Sequence, residues 1–238
     1  MRPGKALNQR DRRPEVMDQP GLDPREHERA LAGLRRINAV SRCSAGLLEP
    51  IAQLARNHPD APLSVLELAC GGGDTAIDLA QMAERRGIDL RIRACDINPE
   101  AIRIATANAR RRGVELDLFV ADALEPPTDA TADVVLCTLF AHHLDGPDVI
   151  RLLLGMAARA RRLVLVDDLI RSRLGYALAW MGTRLLSRSW VVHTDGPLSV
   201  RAAFTASEIL ELAHQAGLSS VRLQRTWPER YLLSWSPD

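Results

Sequence analysis

Few cysteines, no long hydrophobic run and almost no net charge exclude several classes of protein. The four cysteines are far apart and form neither a CxxC pair nor a Cys/His ligand spacing. The longest apolar runs, such as 174–182, are far shorter than the ~20 residues that span a bilayer. A formal net charge of +1 provides no large basic field for nucleic acid. We therefore expect a soluble, cytoplasmic protein with reduced thiols, no nucleic-acid partner and no integral membrane association.

The N-terminal part of the sequence differs in pattern from the rest. No apolar stretch opens the chain, so we expect no signal peptide. Residues 1–22 mix arginine, proline and acidic residues without periodicity, which predicts a disordered tail. Apolar residues recur at spacings of three and four over 23–58, which predicts a helical cap. The remaining residues, 59–238, are long enough to form one α/β domain.

From residue 63 onward, short apolar runs alternate with helical patterns. The predicted strands are 63–69, 90–95, 116–120, 134–139 and 163–166, and the predicted helices are 75–86, 99–112, 146–160 and 206–216. Strand–helix alternation indicates a parallel sheet with right-handed crossovers. The ending departs from this pattern, because 221–226 and 231–235 predict two strands with a tight connection. The sequence thus predicts a seven-stranded α/β sheet, with helices on both faces and a terminal antiparallel pair.

The most informative motif is ELACGGGDT at 67–75, where an apolar strand runs into three glycines and a helix start. Glycine lets the backbone turn sharply and lets a ligand approach without meeting a Cβ atom. The helix N-terminus beyond the turn has free N–H groups and a partial positive charge. Taken alone, this turn is compatible with NAD, FAD or S-adenosylmethionine (SAM).

Polar residues also follow the later predicted strands. Asp96 ends the second strand, where an acid accepts the ribose hydroxyls of a nucleoside. The alternative role of Asp96 is to cap the helix that starts at Pro99. Asp122 and Ala123 follow the third strand, where an acid and a small residue can face an adenine edge. The fourth strand ends in CTLFAHHL at 137–144.

In this order and spacing, the motifs ELACGGG, DINP, ADA and LFAHHL resemble class I (Rossmann-like) SAM-dependent methyltransferases. The resemblance covers 63–168 and, in outline, the C-terminal strand pair. It implies that Glu67 and the turn at 71–73 line the methionine end of SAM, and that Thr138 lies beside the sulfonium. It also implies that Asp96 holds the ribose, with Ile97 packed on the adenine. The full set of implied SAM-binding residues is Glu67, Ala69, Gly71, Gly73, Asp96, Ile97, Asp122, Ala123 and Thr138.

The fourth strand distinguishes among kinds of methyltransferase. It has no N/D-P-P-Y sequence of the kind found in amino-group DNA methyltransferases, which favours a small-molecule acceptor. It also has no acid of the kind that metal-dependent catechol methyltransferases need. Because Mg²⁺ requires nearly octahedral oxygen coordination, we expect no metal.

The pair His142-His143, with Asp167 at the end of the fifth strand, is similar to small-molecule O-methyltransferases. A hydroxyl acceptor must lose a proton, and histidine has nearly the right basicity for that task. A carboxylate on the other ring nitrogen would fix the tautomer, so we predict that Asp167 orients the base. Adjacent histidines on an irregular turn point in different directions, so at most one is the base. The alternative for His143 is to cap the following helix or to pack under the sheet.

The segment at about 170–204 is longer than a strand-to-helix connection requires and is rich in Leu, Met and Trp. The resemblance implies that it forms a lid over an aromatic or lipid-tailed, polyketide-like acceptor. Trp180 and Trp190 fit either an acceptor pocket or an ordinary core. Two alternative functions remain open: a C-methyltransferase acting on a quinone-type ring, and a non-enzymatic SAM-binding regulator. A homodimer is also left open.

Overall fold

The computed structural model describes residues 7–17, 19, 21–41, 43–58 and 61–237. The strands are β1 (Leu63–Leu68), β2 (Leu90–Asp96), β3 (Asp117–Val120), β4 (Ala132–Thr138), β5 (Ala160–Leu169), β6 (Arg222–Thr226) and β7 (Arg230–Trp235). The helices are α1 (Pro24–Ser41), α2 (Cys43–Asn57), α3 (Asp74–Glu84), α4 (Pro99–Arg111), α5 (Gly146–Arg159), α6 (Arg173–Leu186), α7 (Trp190–Ala202) and α8 (Ala206–Gln215). A short 3₁₀ helix, Ala141–His143, follows β4.

All seven strands belong to one sheet, in the order β3-β2-β1-β4-β5-β7-β6. The first five strands are parallel, and β7 runs antiparallel to both of its neighbours. The predicted fold class, an α/β sheet with a terminal antiparallel pair, is therefore confirmed. Because the strand order reverses between β1 and β4, the carboxyl ends of these two strands border the crevice where open α/β sheets bind ligands.

The sheet is covered on both faces, because successive side chains of a strand point to opposite sides. On β1, Val65 packs in a cluster with residues of α2 and α3, whereas Leu66 packs in a cluster with residues of α5 and α8. Residues of β4 and β5 alternate between the same two clusters. The near-continuous apolar sequence of these central strands is what burial on both faces requires.

Three helices, α1, α6 and α7, form a separate layer that we call the cap. This layer differs from the helical cap predicted at 23–58, because α2 packs against the sheet instead. Its small core contains Ala30, Val191 and Val192. Close approach is possible because α1 has a glycine at the contact: a Cβ on Gly33 would lie 2.9 Å from the Cβ of Ser187. None of the helices in the described residues combines the length and apolar character that crossing a bilayer requires.

The N-terminal residues 7–17 pack against the fold, which differs from the predicted disorder of 1–22. The guanidinium of Arg10 donates to the carbonyl oxygens of Ala202 and Leu144, both at 2.5 Å, and lies 3.8 Å from the centre of the Phe204 ring. Composition alone did not reveal these partners, because they come from distant parts of the chain. Residues 1–6, 18 and 20 lie outside the described residues.

Candidate active site

A cavity of about 770 Å³ opens at the carboxyl ends of the parallel strands. It lies beneath α1 and the described residues that precede this helix, 7–17, 19 and 21–23, which we call the N-terminal segment. Its floor comes from the loops that follow β1, β2, β3 and β4. Floor residues that the sequence predicted are Ala69, Gly71, Asp96, Ile97, Asp122, Ala123 and His143. The structure thus brings together most of the predicted site.

The glycine turn after β1 has the conformation that its sequence predicts. Gly71 and Gly73 have φ angles of 52° and 76°, which an L side chain rarely adopts. A Cβ on Gly71 would project into open space, so a ligand can approach this backbone. Gly73 has a different role: a Cβ there would lie 3.0 Å from the Cβ of Ala105 on α4. Gly73 therefore permits helix packing, and it is absent from the cavity lining.

Asp96 holds the glycine turn in place. Its carboxylate accepts hydrogen bonds from the backbone N–H of Gly71 and of Asn98, both at 2.9 Å. Helix α4 is capped by Asn98, whose side-chain oxygen accepts from the N–H of Glu100 at 2.9 Å, so Asp96 is not the cap. A carboxylate has about four lone-pair sites, and Asp96 therefore keeps acceptor capacity toward the cavity.

Glu67 and Thr138 lie side by side on β1 and β4, below the cavity floor. The hydroxyl of Thr138 donates to Oε1 of Glu67 at 3.2 Å. The other carboxylate oxygen, Oε2, is buried and has no hydrogen-bond partner among the described residues. Burial raises the pKa of Glu67 to about 8. A buried carboxyl oxygen without a well-formed hydrogen bond fits a site that a hydrogen-bonding ligand completes.

Two non-glycine residues in left-handed conformations border the cavity. Ala69 has a φ of 55° and Leu139 a φ of 50°, and they follow the neighbouring strands β1 and β4. Such conformations cost about 1–3 kcal/mol each and cluster at functional sites. Here they turn both loops outward at the same place on the sheet edge.

The two histidines after β4 have different environments. His142 is buried, and its Nδ1 lies 2.7 Å from Oδ1 of Asp168. Its Nε2 lies 3.7 Å from Oε1 of Glu15, which belongs to the N-terminal segment. Burial alone lowers the pKa of an imidazole, but the carboxylates of Asp168 and Glu15 outweigh it and raise the pKa of His142 to about 10. His142 is therefore a buried cation held between two acids.

The prediction that Asp167 orients a histidine is wrong. Asp167 pairs with Arg230 instead, with 2.8 Å between its Oδ1 and the arginine Nε. Burial raises the pKa of Asp167 to about 6, although the arginine lowers it. The next residue, Asp168, faces the other side of β5 and reaches His142, because successive side chains alternate along a strand.

His143 is the histidine that lines the cavity, beside Leu139 and Phe140. Its ring centroid lies 4.2 Å from that of His142. Its backbone carbonyl accepts from the guanidinium of Arg12 at 2.7 Å, which ties the turn to the N-terminal segment. His143 does not cap α5, since Asp145 does so by accepting from the N–H of Asp148.

Comparison with known proteins agrees with this geometry. Residues 65–162 match the family described as "Methyltransferase domain". The central part of the chain, residues 65–162, is therefore similar to a methyltransferase domain.

Proteins similar to this chain include enzymes of quinone biosynthesis. It is 33% identical over 67 residues to the ubiquinone/menaquinone biosynthesis C-methyltransferase of Rickettsia felis, covering 28% of this chain and 25% of the relative. It is 25% identical over 153 residues to the ubiquinone biosynthesis O-methyltransferase of Rickettsia conorii, covering 64% of this chain and 51% of the relative. The first of these matches thus spans about a quarter of its relative, and the second about half.

A solved structure with a similar fold is the magnesium protoporphyrin IX methyltransferase of Synechocystis PCC 6803 with bound SAH. The two chains share 16% identity, with a TM-score of 0.59 over 93% of this chain and 91% of that one. At this identity, the likeness concerns the fold.

One group of side chains in the described residues could meet at a metal ion. The ligand atoms of Glu15, His142 and His143 lie within 4.8 Å of one another. Nδ1 of His142 is bonded to Asp168, so Nε2 is the atom that faces Glu15. Because the neighbouring carboxylates raise the pKa of this ring to about 10, a metal would have to displace the proton on Nε2. The set therefore fits a proton better than a divalent ion.

Sequence reasoning missed several residues of the candidate site. Asn98 lies inside a motif that was recognised, so the motif itself was the available signal. Asp168 is adjacent to the residue that was chosen. No local signal could have identified Glu15 or the cavity residues of the N-terminal segment and α1, which are Met17, Gln19, Gly21, Leu22, His27 and Leu31.

Proposed function

We propose that this protein transfers a methyl group from SAM to a hydroxyl of a small aromatic or lipid-tailed, polyketide-like acceptor, without a metal. The observation that supports it best is the single cavity shared by the glycine turn, the Asp96 carboxylate and the His143 side chain. A nucleoside-binding surface and a candidate base thus face the same space, as in-line transfer requires.

SAM would bind along the floor of the cavity. The backbone at Gly71 is open to a ligand, and the free acceptor capacity of Asp96 suits ribose hydroxyls. Ile97 is 65% exposed and offers an apolar surface to the adenine ring. Asp122 accepts from the N–H of Leu124 through one oxygen, which leaves the other for the adenine edge. When bound, SAM supplies an electrophilic methyl group on a sulfonium.

His143 is the better candidate for the base. A base must be able to accept a proton, and His142 already holds one between two carboxylates. His143 borders the cavity, and an imidazole is the side chain that most often serves as a general base. The cationic His142 would instead fix the 3₁₀ turn that carries His143, because its backbone N–H also donates to Asp168 at 3.0 Å.

The main alternative is C-methylation of a quinone-type ring. Its support is the match to a quinone-biosynthesis C-methyltransferase. An electron-rich ring carbon needs less help from a base, so alignment in the cavity would then be the principal contribution of the protein. A non-enzymatic SAM-binding regulator remains the second alternative.

A His143→Gln variant tests the proposed base. We expect kcat on a hydroxyl acceptor to fall by about 10²–10⁴-fold, the usual contribution of a positioned general base. SAM affinity measured by calorimetry should barely change, and NAD should not bind. EDTA should leave activity unchanged in the same assay. A near-normal kcat would contradict the base and favour C-methylation, and activity that EDTA abolishes and Mg²⁺ restores would contradict metal-free transfer.

A further inference from the structure

Exposed apolar side chains are concentrated on one part of the cap. Of the ten large hydrophobic residues that are exposed in the described chain, five lie between residues 174 and 190. These five, which we call the α6 surface, are Leu174, Trp180, Met181, Leu185 and Trp190. The other five are spread over distant elements, and two of them, Ile97 and Val120, lie beside or near the cavity.

Three of the five residues of the α6 surface form one stripe on helix α6, and Trp190 begins α7. Leu174, Met181 and Leu185 are spaced by seven and four residues, which places them in a single stripe. Leu185 is 77% exposed, an unusual value for a leucine in a packed helix. The opposite side of α6 contains the buried residues Gly175 and Thr183, and α6 packs there against α1 and α7.

Positive charge surrounds this stripe. Residues 170–194 contain no Asp or Glu but four arginines. Arg171 is buried and paired with Glu208, whereas Arg173, Arg184 and Arg188 are exposed. The guanidinium of Arg184 lies 4.1 Å from the ring centre of Trp180, so a cation and an aromatic ring share the edge of the surface.

We infer that the α6 surface docks the protein onto an anionic lipid bilayer. An apolar stripe bordered by tryptophan and arginine is the pattern of a helix that lies in the plane of a membrane interface. The arginines match the negative surface of an anionic leaflet. Helix α6 has 14 residues, which is too short to span a bilayer, so the contact is confined to the surface.

A second copy of this chain fits the α6 surface poorly. A twofold interface brings the same patch of both subunits together. The exposed arginines Arg173, Arg184 and Arg188 of both copies would then be brought together around an apolar contact. Glu229 lies beside the start of α6, but it already accepts from the Ser172 hydroxyl. The docking does not depend on which atom the protein methylates.

Sedimentation of the full chain with lipid vesicles tests this proposal. We expect binding to vesicles of mixed phosphatidylcholine and phosphatidylglycerol, and little binding to phosphatidylcholine alone. The triple variant Leu174→Ser, Met181→Ser, Leu185→Ser should lower the bound fraction by about tenfold or more, because each of these side chains would otherwise leave water. The double variant Arg173→Gln, Arg184→Gln should lose a similar part of its binding, with the largest difference at low salt.

A matched control is Leu154→Ser, which removes an exposed apolar residue of α5, outside the α6 surface, and should bind as the unaltered protein does. Circular dichroism checks that every variant is folded. Three results would overturn the proposal: no binding to anionic vesicles, equal binding by the triple variant, or a dimer in analytical ultracentrifugation that the triple variant dissociates. The last result would identify the α6 surface as a contact between copies.

Discussion

His142 and His143 are neighbours in sequence, yet burial and charge give them separate tasks. The ring of His142 is enclosed with Asp168 and Glu15, and contact with His142 lowers the pKa of both acids although burial alone would raise it. Removing one partner of such a buried ion pair strongly destabilises a protein, because the other charge stays buried without compensation. The position of His143, the cavity histidine, thus depends on the charge of the neighbouring His142.

Because His142 is charged in the folded protein, its contribution to the free energy of unfolding should depend on pH. A group whose pKa is raised by folding stabilises the protein fully below its unfolded pKa, which is about 6.5 for histidine. That contribution disappears as the pH rises toward the folded pKa of His142, about 10. Urea denaturation should therefore show that His142→Gln costs about 3–5 kcal/mol near pH 6.5 and progressively less toward pH 10. His143→Gln serves as the control, and equal pH profiles for the His142 variant and the unaltered protein would contradict the assignment.

Asp96 should affect ligand binding, whereas a helix cap outside the cavity should not. Asp96→Asn removes a charged acceptor, so SAM affinity should fall by about 1.5–3 kcal/mol in calorimetry. Thr205→Ala removes the cap of α8, which does not line the cavity, and should lower the free energy of unfolding by about 1 kcal/mol. If Asp96→Asn folds and binds SAM normally, Asp96 does not hold the ribose.

At the residue scale, the sequence predicted a position correctly where the local backbone or motif requires a particular residue type. The glycine turn and Asp96 belong to such motifs. It was wrong for Asp167, because a shift of one residue along a strand moves a side chain to the opposite face. Two consecutive acids at a strand end give no local signal of which one faces the histidines.

At the scale of elements, the cap is assembled through small residues. Gly33 on α1 faces the side chain of Ser187, which follows α6. A Cβ at Gly33 would lie too close to that serine, so α1 can approach only as glycine permits. Since α1 also contributes His27 and Leu31 to the cavity wall, the packing of the cap bears on ligand binding.

Gly33→Ala should therefore destabilise the protein by about 1–3 kcal/mol, the usual cost of overpacking. Gly182→Ala is the matched control, because a Cβ at Gly182 on α6 meets nothing within 4 Å. This control should be neutral or stabilising by about 0.5–1 kcal/mol, since alanine favours helix. Urea denaturation measures both variants. Equal effects would show that the α1 contact is not tightly packed.

The strands and helices of the sheet were predicted to within a few residues, because buried parallel strands and amphipathic helices have distinct periodicities. For example, the strand predicted at 134–139 is β4, Ala132–Thr138. The division of 170–204 into α6 and α7 was not predicted. The break between them depends on packing against α1, which is distant in sequence.

At the scale of the whole molecule, Arg10 joins parts that are far apart in the chain. Its guanidinium donates to the carbonyls of His142 and Leu144 beside the cavity and to Ala202 at the end of α7. The N-terminal segment therefore links the sheet to the cap. Nothing in its composition predicts this, because the partners are backbone carbonyls that any residue could supply.

Arg10→Ala should remove the hydrogen bonds that join the N-terminal segment to the turn after β4 and to the end of α7. Hydrogen bonds from a charged donor contribute about 1.5–3 kcal/mol, so the free energy of unfolding should fall by at least that order. Activity should fall as well, because the carbonyls of His142 and Leu144 would lose the donor that fixes the turn carrying His143. Arg10→Lys should restore little of the stability or the activity, since an ammonium lacks the planar fork that spans these acceptors.

The matched control is Arg13→Ala, because Arg13 is exposed and exposed ion pairs such as the one with Asp11 contribute about 0–1 kcal/mol. Urea denaturation and kcat should separate the two alanine variants clearly. If they behave alike, the N-terminal segment does not hold the sheet and the cap together.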